Sequence, residues 1–212
     1  TWSDLQVVWA DKNNVCGNPS PIVDRVTGKI VLLATWNLGE DKEHDIIKGT
    51  SKDTRRVFLL KSTDDGHNWS FPEEITTDVK LSDWSWYATG PGSGIQVQGG
   101  TYKGRMIVAS DHIEKGTNKY YSHIIYSDDH GDSWNLGGRT PKDQVNECEV
   151  VELSDNRLML NMRNYDRSQS SRQIAYSSNG GYSWDNMQYS EELIEPICQA
   201  SILRFEANNK TY

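Results

Sequence analysis

Glu147 and Arg163 are an acid and a base sixteen positions apart, and what lies between them brings them together. The run Glu149-Val150-Val151-Glu152-Leu153, the turn Ser154-Asp155-Asn156 and the run Arg157-Leu158-Met159-Leu160-Asn161-Met162 read as a β-hairpin. The midpoint of 147 and 163 is 155, the centre of that turn. Reflection about it places the two residues within one position of cross-strand register, where directly opposed Cβ atoms stand roughly 4.5–5.5 Å apart. The corresponding ends of the other hairpins offer Asn18, Trp36, Asp111 and Gln199. Acid, base and amide donors at one partly aromatic rim are the groups that bind and polarise a polar ligand. The plainer reading is an exposed Glu147–Arg163 ion pair worth ~0–1 kcal/mol. Spacing alone leaves both readings open.

The elements that must position these residues are repeats. Ser62-Thr63-Asp64-Asp65-Gly66-His67-Asn68-Trp69, Ser127-Asp128-Asp129-His130-Gly131-Asp132-Ser133-Trp134 and Ser177-Ser178-Asn179-Gly180-Gly181-Tyr182-Ser183-Trp184 share the template S-x-D/N-x-G-x-x-W. Each follows a β-branched or alternating run, at Arg56–Lys61, His123–Tyr126 and Arg172–Tyr176, so a strand feeds each motif. The Asp or Asn side chain can bond nearby backbone N–H groups, Gly can take positive φ, and Trp can bury a ring against a neighbouring sheet. The ligand series of a calcium loop is absent. Upstream of each motif lies a first hairpin, around Thr27-Gly28, Gly99-Gly100 and Asp155. Trp2, Trp69, Trp134 and Trp184 recur at spacings of 67, 65 and 50, and such periods in an all-β pattern indicate four-stranded propeller blades. The expected units are a tail at 1–15, blades at about 16–75, 76–140 and 141–190, and the start of another at 191–212, where Ala200–Phe205 opens a new unit. Helix is expected to be nearly absent.

Composition removes several classes. The 212 residues carry 22 Lys and Arg against 30 Asp and Glu, a net charge of −8, which argues against a nucleic-acid partner. No apolar stretch approaches the ~20 residues that cross a bilayer as a helix. Cys16, Cys148 and Cys198 lack paired spacing, so neither disulfide nor zinc site is suggested and buried thiols are expected. The five histidines show no metal spacing and read as surface or loop residues.

The repeats resemble the Asp boxes of the sialidase (neuraminidase) superfamily. The run Asn146-Glu147-Cys148-Glu149-Val150-Val151-Glu152-Leu153 through Leu160-Asn161-Met162-Arg163 is similar to that family's catalytic hairpin. Gly17-Asn18-Pro19-Ser20-Pro21, the Trp86–Gly94 segment with Thr89-Gly90-Pro91-Gly92-Ser93-Gly94, and Cys198-Gln199-Ala200-Ser201 also resemble it. The resemblance implies a six-bladed propeller, of which this chain would cover three to four blades, and a retaining exo-sialidase with a Tyr nucleophile. Glu147 then matches the carboxylate that activates that Tyr, and Arg163 one of three arginines that grip the substrate carboxylate. Asn18, Asp111 and Gln199 fall at pocket-lining positions, with Trp36 and Trp86 as further candidates. The nucleophile, the Asp acid/base and two arginines would belong to other blades, so this segment alone is expected to be inactive. The implied partners are a sialylated glycoprotein, glycolipid or oligosaccharide and the remaining blades, with no cofactor or metal. A trans-sialidase, including the intramolecular kind, or a non-catalytic carbohydrate- or protein-binding propeller are the alternatives. Sialoglycan substrates suit a secreted, periplasmic or cell-surface protein, though lysosomal and cytosolic relatives exist. Asn68-Trp69-Ser70 and Asn209-Lys210-Thr211 match glycosylation sequons.

Overall fold

The computed structural model describes residues 2–208 and 210–212; Asn209, which opens the second sequon, lies outside the described residues. Three sheets of four or five strands follow one another along the described residues. The first contains β1 (Val15–Val23), β2 (Ile30–Asn37), β3 (Arg56–Ser62) and β4 (Glu73–Glu74), with short helices α1 (Glu43–Lys48) and α2 (Thr76–Val79) in its connections. The second contains β5 (Trp84–Thr89), β6 (Ile95–Gln96), β7 (Met106–Glu114), β8 (Tyr120–Ser127) and β9 (Asn135–Arg139). Here β5 and β6 both pair with β7, so they are two pieces of one inner strand separated by the loop at 90–94. The third contains β10 (Val145–Glu152), β11 (Leu158–Asn164), β12 (Ser171–Ser177) and β13 (Asp185–Ile194). Successive strands in each sheet are antiparallel neighbours, the meander of a propeller blade.

Alternation along these strands explains the packing. Leu33, Val57 and Leu59 of the first sheet meet Met106, Val108 and Ile125 of the second in one buried cluster. The opposite face of β7, with Ile107 and Ala109, joins Ile124 against Val150, Leu160 and Met162 of the third sheet. The second sheet is thus apolar on both faces, as a blade between two blades must be.

The S-x-D/N-x-G-x-x-W turns close themselves, as their residue types require. Ser127 Oγ accepts from Gly131 N (2.9 Å) and donates to Asp129 Oδ1 (2.7 Å), while Asp129 Oδ1 accepts from Ser133 N (2.9 Å). The same bonds recur at Ser62 and Ser177. Against the cost of burial, bonds from Ser133 and Ser127 hold the Asp129 carboxyl down to about 2. Gly131 and Gly181, at φ of 80° and 89°, also seat the turns on the preceding sheet. A Cβ on Gly131 would lie 2.7 Å from Val31 Cγ2, and one on Gly181 2.3 Å from Ile124 Cδ1. Arg105 ties two repeats together. It clasps Asp128 through Nε and Nη2 (both 2.8 Å), and donates to the Gly180 carbonyl (2.9 Å) and Tyr182 Oη (2.8 Å). Its guanidinium lies against the rings of Tyr102, Tyr126 and Tyr182.

Beyond β13, residues 200–205 carry no strand and lead into a short hairpin, β14 (Glu206–Ala207) and β15 (Lys210–Thr211). The histidine and cysteine expectations need correction. Two histidines are core rather than surface: His112 and His123, diagonal to one another across β7 and β8, are fully buried with their Nδ1 atoms 3.0 Å apart. His112 stacks on Trp84, and neither Nε2 has a partner among the described residues. Cys148 is buried, but Cys16 is half-buried and Cys198 exposed.

Candidate active site

The repeat serines give a common ruler for the three blades. Ser62, Ser127 and Ser177 stand opposite Ile30, Met106 and Leu158 on the second strand of each sheet. Five residues further along, at the end away from the Asp-box turns, the equivalent positions are Thr35, Asp111 and Arg163. This end is the mouth where candidate side chains converge.

On the third blade, Arg163 Nη1 donates to Glu147 Oε2 at 2.7 Å, with both side chains about a quarter exposed or less. The pairing expected from the hairpin is therefore present, across a bulge between Val145 and Cys148 that twists Glu147 towards Arg163. Arg163 lies over the Tyr165 ring at 5.1 Å, and its Nε is buried without a partner among the described residues. Burial opposes its charge, but the Glu147 contact prevails and raises its pKa.

Asp111 is wholly buried beside this pair. Its Oδ1 accepts from Asn146 Nδ2 (2.8 Å), Asn146 Oδ1 accepts from Tyr165 Oη (3.3 Å), and Asp111 Oδ2 has no partner among the described residues. Burial first, then the negative charge of Glu147, pushes the Asp111 carboxyl well above the usual range, against the pull of Arg55 and Arg163. It is therefore a group that can stay protonated beside the Glu147–Arg163 pair.

The first blade contributes a buried cation. Arg55, just before β3, donates from Nη2 to Asn18 Oδ1 (2.7 Å) and Thr35 Oγ1 (2.6 Å), from Nη1 to Asn37 Oδ1 (3.0 Å) and from Nε to the Tyr87 carbonyl (3.1 Å). Its guanidinium stacks 4.3 Å from the Trp86 ring, which brings Trp86 to the mouth. Trp36 is not brought there. Thr35 holds the mouth position, and a one-residue step along a strand reverses the face. Trp36 instead donates to Asp11 Oδ2 (2.9 Å) and packs on Phe58 and Arg56, in a cleft of about 550 Å³ lined also by Trp9 and Trp69.

Gln199 donates to the Pro91 carbonyl of the β5–β6 loop. Glu149, almost fully buried, anchors the same loop: its Oε1 accepts from Ser93 N (2.8 Å) and Oγ (3.1 Å), and Oε2 accepts from Ile202 N (2.6 Å). Sequence reasoning missed Thr35, Arg55, Asn146, Glu149 and Tyr165. Counting from the repeat serines finds Thr35; no local signal marks Arg55, which ends a long connection.

Asp-box turns at one end of side-by-side antiparallel blades and a charged, hydrogen-bonding mouth at the other define a β-propeller of the sialidase type. Residues 1–209 match the family model described as "BNR repeat-like domain", and the chain belongs to that family. It is 31% identical over 205 residues to "Sialidase" of Bacteroides fragilis, covering 94% of this chain and 36% of that protein. "Sialidase" of Micromonospora viridifaciens is 32% identical over 212 residues, with 96% and 32% covered. Among solved structures, "Hadza microbial sialidase Hz136" superposes with a TM-score of 0.83 at 27% identity, over 97% of this chain and 41% of that one. The chain thus spans about a third of the length of the two curated relatives. Among the described residues no helix is long and apolar enough to cross a membrane.

Proposed function

We propose that these residues form part of the active site of an exo-sialidase that releases terminal sialic acid from glycoproteins, glycolipids or oligosaccharides. The relatives' names supply the reaction class, and the Glu147–Arg163 contact at the mouth carries the assignment. Arg163 has donors beyond the Nη1 engaged with Glu147, so it can take one carboxylate oxygen of an anionic sugar while staying oriented. Glu147, held in place by that arginine, is the base that accepts the proton of a phenol nucleophile. A phenol suits an anionic sugar because it avoids the repulsion a carboxylate nucleophile meets. Asn18, Asp111 and Gln199 line the pocket. The tyrosine, the Asp acid/base and two further arginines would stand on other blades of a six-bladed ring. The blade units, at about 16–75, 76–140 and 141–190, belong to this reading, as does an extracytoplasmic or cell-surface location.

The test uses the full-length protein that carries this chain. Incubation with a sialoside is expected to release free sialic acid; transferred or anhydro sialic acid as the main product would make it a trans-sialidase, and no sialic acid product would defeat the reading. Arg163→Ala is expected to weaken sialic acid binding by about 2–4 kcal/mol, as loss of a charge-assisted contact does. Unchanged affinity removes Arg163 from the site.

A further inference from the structure

Arg55 has five N–H donors, and every partner it finds is neutral: two side-chain amide oxygens, a hydroxyl and a carbonyl. It is 5% exposed, and no carboxylate among the described residues lies within ion-pair distance. A second cation stands behind it. Lys80 Nζ donates to Thr54 Oγ1 (2.5 Å) and to the carbonyl of Arg55 itself (2.8 Å), again without a carboxylate within ion-pair distance among the described residues. Burial, then the charge of Arg55, lowers the Lys80 pKa to about 8, and burial lowers that of Arg55 to about 10. Desolvating two cations is costly, and Asp111 and Glu43 act on Arg55, and Asp53 on Lys80, only from beyond ion-pair distance, so positive potential stands behind the mouth.

Arg55 also settles which way Asn18 points. A guanidinium only donates, so the Asn18 atom facing it is Oδ1. The backbone of Asn18 is fixed independently, at φ 51°, with its carbonyl accepting from Thr89 Oγ1 (2.5 Å). Both bonds to the Asn18 side chain, from Arg55 and from Thr35 Oγ1 (3.3 Å), go to Oδ1, and Nδ2 has no acceptor among the described residues, on a half-buried residue beside the mouth.

Building on the sialidase reading, we propose that Arg55 is a positioning residue: it locks the Asn18 amide so that Nδ2 is presented as a donor to an acceptor oxygen of the anionic sugar, and its unpaired charge biases the mouth towards that anion. The lock makes Asn18→Asp the informative variant. The aspartate keeps the bond to Arg55 and supplies the missing counter-ion, but replaces the donor with an acceptor.

In the full-length protein, Asn18→Asp is expected to raise KM for a sialoside roughly tenfold to a hundredfold, the worth of one charge-assisted hydrogen bond, with kcat within about twofold. Its Tm is expected at or above that of the wild type. Arg55→Lys, which keeps the charge and loses the fork, is expected to raise KM while lowering Tm. A KM for Asn18→Asp within about twofold of wild type, or a Tm below it, overturns the proposal. Absence of turnover in the wild type would defeat the sialidase reading alone; the lock would then stand or fall on the Tm of Asn18→Asp.

Discussion

The two ends of each blade follow opposite rules. At the Asp-box end, Ser127, Asp129 and Gly131 satisfy one another within a few residues, and the same closed circuit recurs at Ser62 and Ser177. At the mouth, equivalent positions carry different residues, Thr35, Asp111 and Arg163, and polar atoms of Asp111 and Arg163 are buried unpartnered. Repetition with complete pairing marks a structural device. Divergence with incomplete pairing marks the place where something else is meant to bind.

That contrast fails if mouth substitutions act on folding or turn substitutions act on chemistry. The largest effect is expected at Glu147. In the full-length protein, on the sialidase reading, Glu147→Gln should lower kcat by roughly 10²–10⁴-fold with little change in Tm, since the amide keeps an acceptor for Arg163 and loses the proton acceptor; steady-state kinetics beside thermal unfolding measures both. Next comes acid. His123 is held down to about 3 by burial, and His112 is lowered too, by burial and then by His123, so both are neutral in the fold and protonate near 6.5 when unfolded. Between those values the unfolded chain binds more protons. Their contribution is therefore intact above about pH 6.5 and is lost as pH falls towards 3, by about 1.4 kcal/mol per pH unit for each His. Denaturant titrations at pH 7, 6, 5 and 4 test this, and a flat profile over pH 4–7 would contradict the buried pair.

Gly181→Ala comes third, with an expected cost of about 2–3 kcal/mol from the positive φ and the encounter with Ile124, measured by denaturant midpoint, and with KM unaffected. Ser127→Ala is the mildest. Removing the hydroxyl that accepts from Gly131 N should cost about 1–2 kcal/mol without changing kcat/KM. A loss of activity beyond the loss of folded protein in either variant would break the contrast between the ends.

The same division explains what the sequence made legible. The Asp boxes could be read because each is local: its partners lie within four residues, so type and spacing encode the turn. Glu147 and Arg163 could be paired because one short hairpin joins them symmetrically about Asp155. Trp36 falls off the mouth because the register set by the repeat serine puts Thr35 there, and one position reverses a strand face. Arg55 was invisible because its partners Asn18, Thr35, Asn37 and Tyr87 come from three separate strands. The β5–β6 interruption hid likewise, since Glu149 and Gln199, which hold its loop, lie more than fifty residues away in sequence.

Arg105 has a final consequence for how the molecule comes apart. Because one guanidinium clasps the turn of the second blade and the carbonyl of the third, opening either turn strips this shared arginine of a partner and loosens its hold on the other. In repeat proteins such nearest-neighbour terms decide whether modules melt singly or together. Amide protons of β8 and β12 should then exchange through one shared opening event rather than two, which makes this arginine a rivet of cooperativity as well as a contact.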